Sequence, residues 1–180
     1  MDASEDTLVV LTALPLERRA VRRRPQAVLF VGIAGSLKPD VSPGDVVVAS
    51  EVYAYHGGKE STGGFKGRPR SWETTHHLQQ VAMHVDSVDD WRGRLPERER
   101  DATQVHFKPI AAGDLVLDAP AGSPSRVLLD QNFNDAVAVE MEGAGFANAA
   151  TKAGVPFLSA RGSATWRTEP GCAWCSISFR

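Results

Sequence analysis

Residues 27–31 (AVLFV) form an unbroken apolar run, and such a strand is typical of a parallel sheet that is covered on both faces. A second run of this kind, residues 7–11 (TLVVL), lies shortly before it. The segment between them has Pro15 where a helix would begin and Pro25 where it would end. Strand, helix and strand in this order predict an α/β fold.

Later segments continue the alternation. Residues 46–53, 105–110, 136–140 and 156–160 are predicted strands, and residues 143–153 are a predicted alanine-rich helix that ends at Gly154. Apolar side chains at helical spacing (Leu78, Val81, Ala82, Val85) predict a further helix, with Ser71 and Thr74 as its cap. Residues 56–70 are rich in glycine and basic side chains, which predicts a long mobile loop before a polar stretch at 86–102.

Composition restricts the partners. The chain has 180 residues, of which 42% are hydrophobic, enough for one soluble domain. Twenty basic residues face twenty-two acidic ones, so neither nucleic acid nor an anionic membrane is expected as the partner, and a small molecule is. No apolar stretch approaches the roughly 20 residues that cross a bilayer, and the acidic N-terminus is unlike a signal peptide, which predicts a cytoplasmic location.

Metal binding is not expected. His76 and His77 are adjacent on a predicted helix, so their rings point apart, and no third ligand is placed near them. Cys172 and Cys175 could form half a zinc site or a redox pair, but the chain offers neither a second half nor a thioredoxin-like context.

Residues 136–143 (AVAVEMEG) carry the most specific motif, because a buried strand seldom ends in two carboxylates. A carboxylate can accept hydrogen bonds from two vicinal hydroxyls at once, and a neighbouring methionine can pack on a sugar face. The alternative is that Glu140 and Glu142 are a pair at a helix N-terminus, favoured there by the helix dipole.

This segment resembles the Val-Glu-Met-Glu signature of the methylthioadenosine/S-adenosylhomocysteine nucleosidases, in the nucleoside phosphorylase superfamily. Three further segments fall in that family's order: residues 12–17 (TALPLE), 31–36 (VGIAGS) and 110–116 (IAAGDLV). The second of them resembles the glycine-rich turn that follows the family's central strand, so a turn is expected from Gly32 onward. The resemblance implies a three-layer phosphorylase/hydrolase-like sheet with flanking helices over residues 1–165, followed by a non-family tail over 166–180. The sheet is expected to be incomplete, since strands and a helix that the family carries before residue 27 are missing, which would leave apolar edges.

The resemblance also implies roles. Glu17 would be the general base that activates water, although a solvated glutamate in a first helical turn looks the same. Ala34 and Gly35 would let the backbone approach the nucleoside, and Val116 would stand at the purine-stacking position, which is often aromatic in the family. The remaining two substrate-binding residues would be Met141 at the sugar and Glu142 at the ribose hydroxyls.

The implied reaction is hydrolysis of the N-glycosidic bond of an adenine nucleoside, as in methionine salvage, with no cofactor and with a homodimer as the expected assembly. One departure affects it directly. The family's acid aspartate falls at Thr165, which cannot protonate the purine near neutral pH. Deletion of one base from codons for Gly-Ile-Ser-Asp-Val-Ala yields Gly-Ser-Ala-Thr-Trp-Arg, the sequence of residues 162–167, so a frameshift is one hypothesis for the tail. An impaired nucleosidase, a purine nucleoside phosphorylase, a nucleoside-binding sensor and a decayed fragment all stay open.

Overall fold

The structure, a computed structural model, describes residues 8–11, 25–62, 64–113 and 122–164, and for 8–11, 59–61 and 64–66 it fixes the backbone only. These residues form nine strands, four α-helices and one 3-10 helix. The strands are β1 (Leu8–Leu11), β2 (Ala27–Ser36), β3 (Val46–Ala54), β4 (Gly58–Ser61), β5 (Gly64–Gly67), β6 (Arg70–Glu73), β7 (Val105–Ala112), β8 (Ala138–Glu140) and β9 (Phe157–Ala164). The α-helices are α1 (His76–Val88), α2 (Glu97–Arg100), α3 (Pro124–Asn132) and α4 (Gly143–Ala153), and the 3-10 helix spans Asp90–Arg94.

Five strands of the main sheet form a closed circuit in the order β2, β9, β3, β7, β8 and back to β2. The pairs β2–β9, β3–β7 and β7–β8 are parallel, while β9–β3 and β8–β2 are antiparallel. Outside the circuit, β1 pairs in parallel with β2 and β6 pairs antiparallel with β3. The predicted α/β sheet with flanking helices is therefore confirmed.

Strand β2 is longer than the sequence predicts. A glycine-rich turn was expected from Gly32 onward, but the strand continues to Ser36, so that prediction is wrong. The absence of a side chain at Gly32 also allows close packing against β9. A Cβ atom on Gly32 would lie 2.5 Å from the guanidinium of Arg161 on β9, so a larger residue could not stand there without displacing that side chain.

Helix α4 covers one side of the sheet with Phe146, whose ring centroid lies 4.7 Å from that of Phe30 and 5.7 Å from that of Phe157. Helix α3 was not predicted. It begins at Pro124 behind Ser123, whose hydroxyl accepts a hydrogen bond from the Arg126 N–H, and it buries Leu129.

The predicted helix through Leu78 and Val85 is confirmed as α1, but its predicted cap is wrong. Ser71 lies in strand β6, and the Thr74 hydroxyl donates to the carbonyl of Ala49 at 2.5 Å rather than to the helix. Helix α1 buries no residue fully. An apolar groove of about 400 Å³ separates it from the sheet, and the helix side of that groove includes Val85, which is 50% exposed.

Two segments that looked irregular in sequence are ordered. The predicted mobile loop at 56–70 instead contains the antiparallel hairpin β4–β5 and the start of β6. The polar stretch at 86–102 ends α1 and adds the 3-10 helix and α2. Among the described residues, no helix combines the length and apolar character that crossing a bilayer requires.

Candidate active site

The candidate site begins at strand β8, which runs along the sheet and ends in the predicted carboxylate pair. All three residues of β8 are buried, and Glu140, the last of them, is 5% exposed. Met141 is half-buried, Glu142 is exposed, and α4 begins at the next residue. Two carboxylates two positions apart therefore lie in opposite environments.

The Glu140 carboxylate is held by three donors. It accepts hydrogen bonds from Arg161 Nη2 at 2.8 Å, from the Gly143 N–H at 2.8 and 2.9 Å to its two oxygens, and from the Glu142 N–H at 3.1 Å. Burial raises the pKa of this carboxyl group, while the guanidinium and the backbone N–H groups oppose that rise. Glu140 thus fixes the backbone where β8 turns into α4.

Arg161 reaches Glu140 from the middle of β9, and only 1% of it is exposed. Its guanidinium carbon lies 3.8 Å from the ring centroid of Phe30, in cation–π geometry. Burial lowers the pKa of this guanidinium, and the adjacent Glu140 carboxylate opposes the effect. Because a buried charge is costly without a partner, Arg161 depends on Glu140 as much as Glu140 depends on it.

The first residue of α4 must be glycine. A Cβ atom on Gly143 would lie 2.5 Å from the nearer Glu140 oxygen, so any side chain there would displace the carboxylate. The helix-terminus interpretation therefore applies to Glu140, whose carboxylate satisfies two of the first N–H groups of this helix region. Glu142 stands at the N-cap position itself, where the helix dipole also favours a carboxylate, but its side chain makes no capping hydrogen bond.

Described parts of three predicted motifs meet at β8. In β2, Gly35 is paired with Val139, and at the end of β7 Ala112 is paired with Glu140. The Gly113 N–H then donates to the Glu140 carbonyl at 3.0 Å. Segments about a hundred residues apart in sequence thus come together immediately before Met141.

The structure places the remaining predicted site residues unevenly. Ala34 is 2% exposed, its side chain packs in the hydrophobic core, and it pairs with Ser163 of β9. Gly35 is also buried. Three further residues lie outside the described part of the chain: Glu17, Val116 and Thr165.

Sequence reasoning missed the role of Arg161. Its signal was present, because residues 157–164 (FLSARGSA) contain one charged residue in an otherwise small or apolar strand. A buried arginine requires a buried acceptor. The motif at 140–142, where two carboxylates follow a buried strand, was the place in the sequence to look for it.

A second buried carboxylate lies at the amino end of β3, whereas Glu140 lies at the carboxyl end of β8. Asp45, 2% exposed, accepts hydrogen bonds from the N–H groups of Ser42 at 2.8 Å and Gln104 at 2.9 Å, and it contacts His106 Nε2 at 3.0 Å. Burial alone would raise the pKa of Asp45, but these partners outweigh it and hold the pKa below its usual value. The network ties β7 to the start of β3. Within the described residues, no group of three or more potential ligands is arranged to hold a metal ion.

Comparison with known families decides the relationship. The model of the phosphorylase superfamily matches residues 9–171, which is most of the chain and includes β8, β9 and the junction between β8 and α4. The chain belongs to the phosphorylase superfamily. The resemblance drawn from the sequence motifs is therefore confirmed at the level of the superfamily.

Individual phosphorylase superfamily members point to nucleosidases. The 5'-methylthioadenosine/S-adenosylhomocysteine nucleosidase of Maridesulfovibrio salexigens is 28% identical over 138 residues, covering 77% of this chain and 55% of that protein. The solved structure of Helicobacter pylori MTAN has a TM-score of 0.61 at 27% identity, covering 81% of this chain and 60% of its own. The native futalosine hydrolase of the same organism has a TM-score of 0.59 at 29% identity, covering 78% and 57%. The chain spans about half the length of the curated relatives it matches.

Proposed function

We propose that this chain binds an adenine nucleoside at the carboxyl end of β8, where Glu142 accepts hydrogen bonds from the two ribose hydroxyls and Met141 packs on the sugar. The observation that carries the proposal is the contrast between the two carboxylates. Glu140 is buried and bound to Arg161, whereas Glu142 has an exposed side chain without a capping bond on a backbone that Glu140 holds in place. A rigid backbone under an exposed acceptor is what sugar recognition requires.

The relatives support adenine nucleosides as the ligand class, since two of them are named as methylthioadenosine/S-adenosylhomocysteine nucleosidases. In the hydrolysis we propose, the water oxygen bonds to the anomeric carbon as the bond from that carbon to the purine nitrogen breaks. Glu17 takes one proton from the attacking water, and the departing purine takes its proton from solvent, because Thr165 cannot supply one. Ala34 and Gly35 would let the backbone lie close to the nucleoside, and Val116 would contact the purine.

The residue at the acid position favours weak turnover. A general acid contributes about 10²- to 10⁴-fold to such a step, and Thr165 cannot supply it near neutral pH. The same observation favours a second candidate function, a sensor that binds the nucleoside without cleaving it. A phosphorylase, in which phosphate replaces water, is the third possibility, and Glu17 favours water over phosphate.

Calorimetric titration of the full chain with adenosine tests the binding site. We expect Glu142→Gln to weaken binding about tenfold or more, because a hydrogen bond to a charged group contributes roughly 1.5–3 kcal/mol. Glu97→Gln is the matched control, since Glu97 is also an exposed glutamate in the first turn of a helix. Equal affinity of the Glu142→Gln variant and the wild-type chain would rule out the proposed ribose contact.

Adenine release, measured by chromatography with and without phosphate, separates the three functions. A nucleosidase releases adenine at the same rate in both conditions, and a phosphorylase releases it only with phosphate. Binding without release in either condition identifies the sensor.

A further inference from the structure

A second pocket lies beside the proposed nucleoside site. It has a volume of about 500 Å³, within the range of small-molecule sites, and it opens at the carboxyl ends of β3 and β7. Its polar and aromatic lining side chains come from Arg68, Arg70, Trp72 and His56. Ligands of α/β proteins bind preferentially at this edge of the sheet.

The pocket is positively charged. Arg68 and Arg70 are both exposed, and no carboxylate is among the described residues that line the pocket. Where side chains are described, neither guanidinium lies within 4.0 Å of a carboxylate oxygen. Both arginines line one concave surface, and each guanidinium offers the planar fork of N–H donors by which arginine binds carboxylates and phosphates.

The positions of both arginines are set by backbone pairing. The Arg68 N–H donates to the Gly57 carbonyl at 2.7 Å, and Arg70 is paired with Ala54 at the start of β6. Trp72 follows two residues later on the same strand, half-buried, so its ring adds an apolar wall on the face that Arg70 occupies. Glycines at 57, 58 and 113 add no side chains, which keeps the volume open.

The pocket adjoins the residues that we assign to the sugar. Gly113 lines it, and the Gly113 N–H is bonded to the carbonyl of Glu140, the residue immediately before Met141. Adenine and ribose carry no charge at neutral pH, and Glu142 is assigned to the two ring hydroxyls. An anionic group on the nucleoside would therefore stand on its 5' carbon.

We infer that Arg68 and Arg70 form a subsite for an oxyanion, and that the preferred ligand is an adenine nucleoside with a carboxylate or phosphate at the 5' position. This inference rests on the proposed function for its nucleoside part, while the anion subsite itself can be tested alone. A neutral nucleoside would leave this anion subsite empty.

The test compares four probes by calorimetric titration of the full chain: adenosine, adenosine-5'-carboxylic acid, adenosine 5'-monophosphate and inorganic phosphate. We expect at least one charged nucleoside to bind about tenfold or more tightly than adenosine, since its anionic group would pair with the guanidinium of Arg68 or Arg70. The R68Q/R70Q variant should bind charged and neutral nucleosides within about twofold of each other. Arg98→Gln is the matched control, because Arg98 lies outside the pocket with 85% of its side chain exposed, and it should behave as the wild-type chain does.

The two charged nucleosides distinguish a carboxylate ligand from a phosphate ligand. Equal binding of adenosine and both charged nucleosides by the wild-type chain would overturn the inference, as would a preference for charge that survives in R68Q/R70Q. If no nucleoside binds but phosphate binds and requires the two arginines, the anion subsite stands and the nucleoside function fails. If none of the four probes binds, both fail.

Discussion

Breaking the Glu140–Arg161 pair is expected to destabilise the protein strongly, and replacing Glu140 should cost more than replacing Arg161. Both side chains are 2% exposed, and removal of one partner from a buried pair costs about 3–5 kcal/mol, because an uncompensated charge stays behind. After Arg161→Met, Glu140 keeps the N–H groups of Glu142 and Gly143. We therefore place this variant near the lower end, about 3 kcal/mol.

Glu140→Gln leaves Arg161 in a worse position. The guanidinium then keeps the face of Phe30 and the weaker attraction of the Glu142 carboxylate, and the amide must turn its NH₂ group toward either Arg161 or the backbone donors of α4. We expect a cost near 5 kcal/mol, which is a large part of the roughly 5–15 kcal/mol that a domain has. At about 2–4 °C per kcal/mol, Tm should fall by roughly 6–12 °C for Arg161→Met and 10–20 °C for Glu140→Gln.

Urea and thermal unfolding followed by circular dichroism measure both costs, and the double variant completes a cycle. The double variant should cost less than the sum of the two single variants. Once Arg161 has been replaced, Glu140→Gln no longer leaves a buried cation without its partner. Glu142→Gln is the control, since that side chain is exposed two positions away. The reasoning is refuted if Glu140→Gln costs no more than this control, or if Arg161→Met costs more than Glu140→Gln.

Three further predictions concern other parts of the fold. Gly143→Ala should destabilise by about 1–3 kcal/mol because its Cβ would meet Glu140, whereas Gly145→Ala in the same helix has open space and should stabilise by about 0.5–1 kcal/mol; urea unfolding of both distinguishes close packing from helix propensity, and a stable Gly143→Ala variant would contradict the packing. The pKa of Asp45 is lower folded than unfolded, so its stabilisation is present above the unfolded value near 3.9 and is lost as pH falls through the folded value; unfolding curves from pH 6 downward should show this loss in the wild-type chain and a flatter profile in Asp45→Asn, and parallel profiles would contradict it. Thr165→Asp should raise the rate of adenine release about a hundredfold or more if position 165 is the acid position, and an unchanged rate would remove that assignment.

How much the sequence predicts depends on whether a signal is local. The apolar runs of β2 and β3 and the spacing of α1 are local, and those elements are confirmed. The extension of β2 beyond residue 31 depends on pairing with β9, which lies more than a hundred residues away, so the composition of residues 32–36 alone favours a turn. The hairpin β4–β5 is held by backbone pairing between glycine-rich segments, which propensity does not recognise.

The same division applies to the candidate site. That Glu140 and Glu142 share a strand end was visible in the sequence, but which of them is buried was not, because burial depends on the position of Arg161 in space. The cationic pocket was hidden for a similar reason. Arg68 and Arg70 stand in a stretch that looks like solvated loop, and they come to lie beside the end of β7 through the hydrogen bond of Arg68 to Gly57 and the pairing of β6 with β3.

The circuit of strands closes through two residue pairs, Gly35 with Val139 and Ser36 with Ala138, whereas β2 and β9 share eight. The β2–β8 junction is therefore the weaker of these two contacts, and its local opening needs less free energy than unfolding of the whole sheet. A nucleoside bound at the proposed site, just past the end of β8, would hold this junction closed. Opening of the β2–β8 junction and binding of the nucleoside would then be linked equilibria, and amide hydrogen exchange along β8 would slow when the ligand binds.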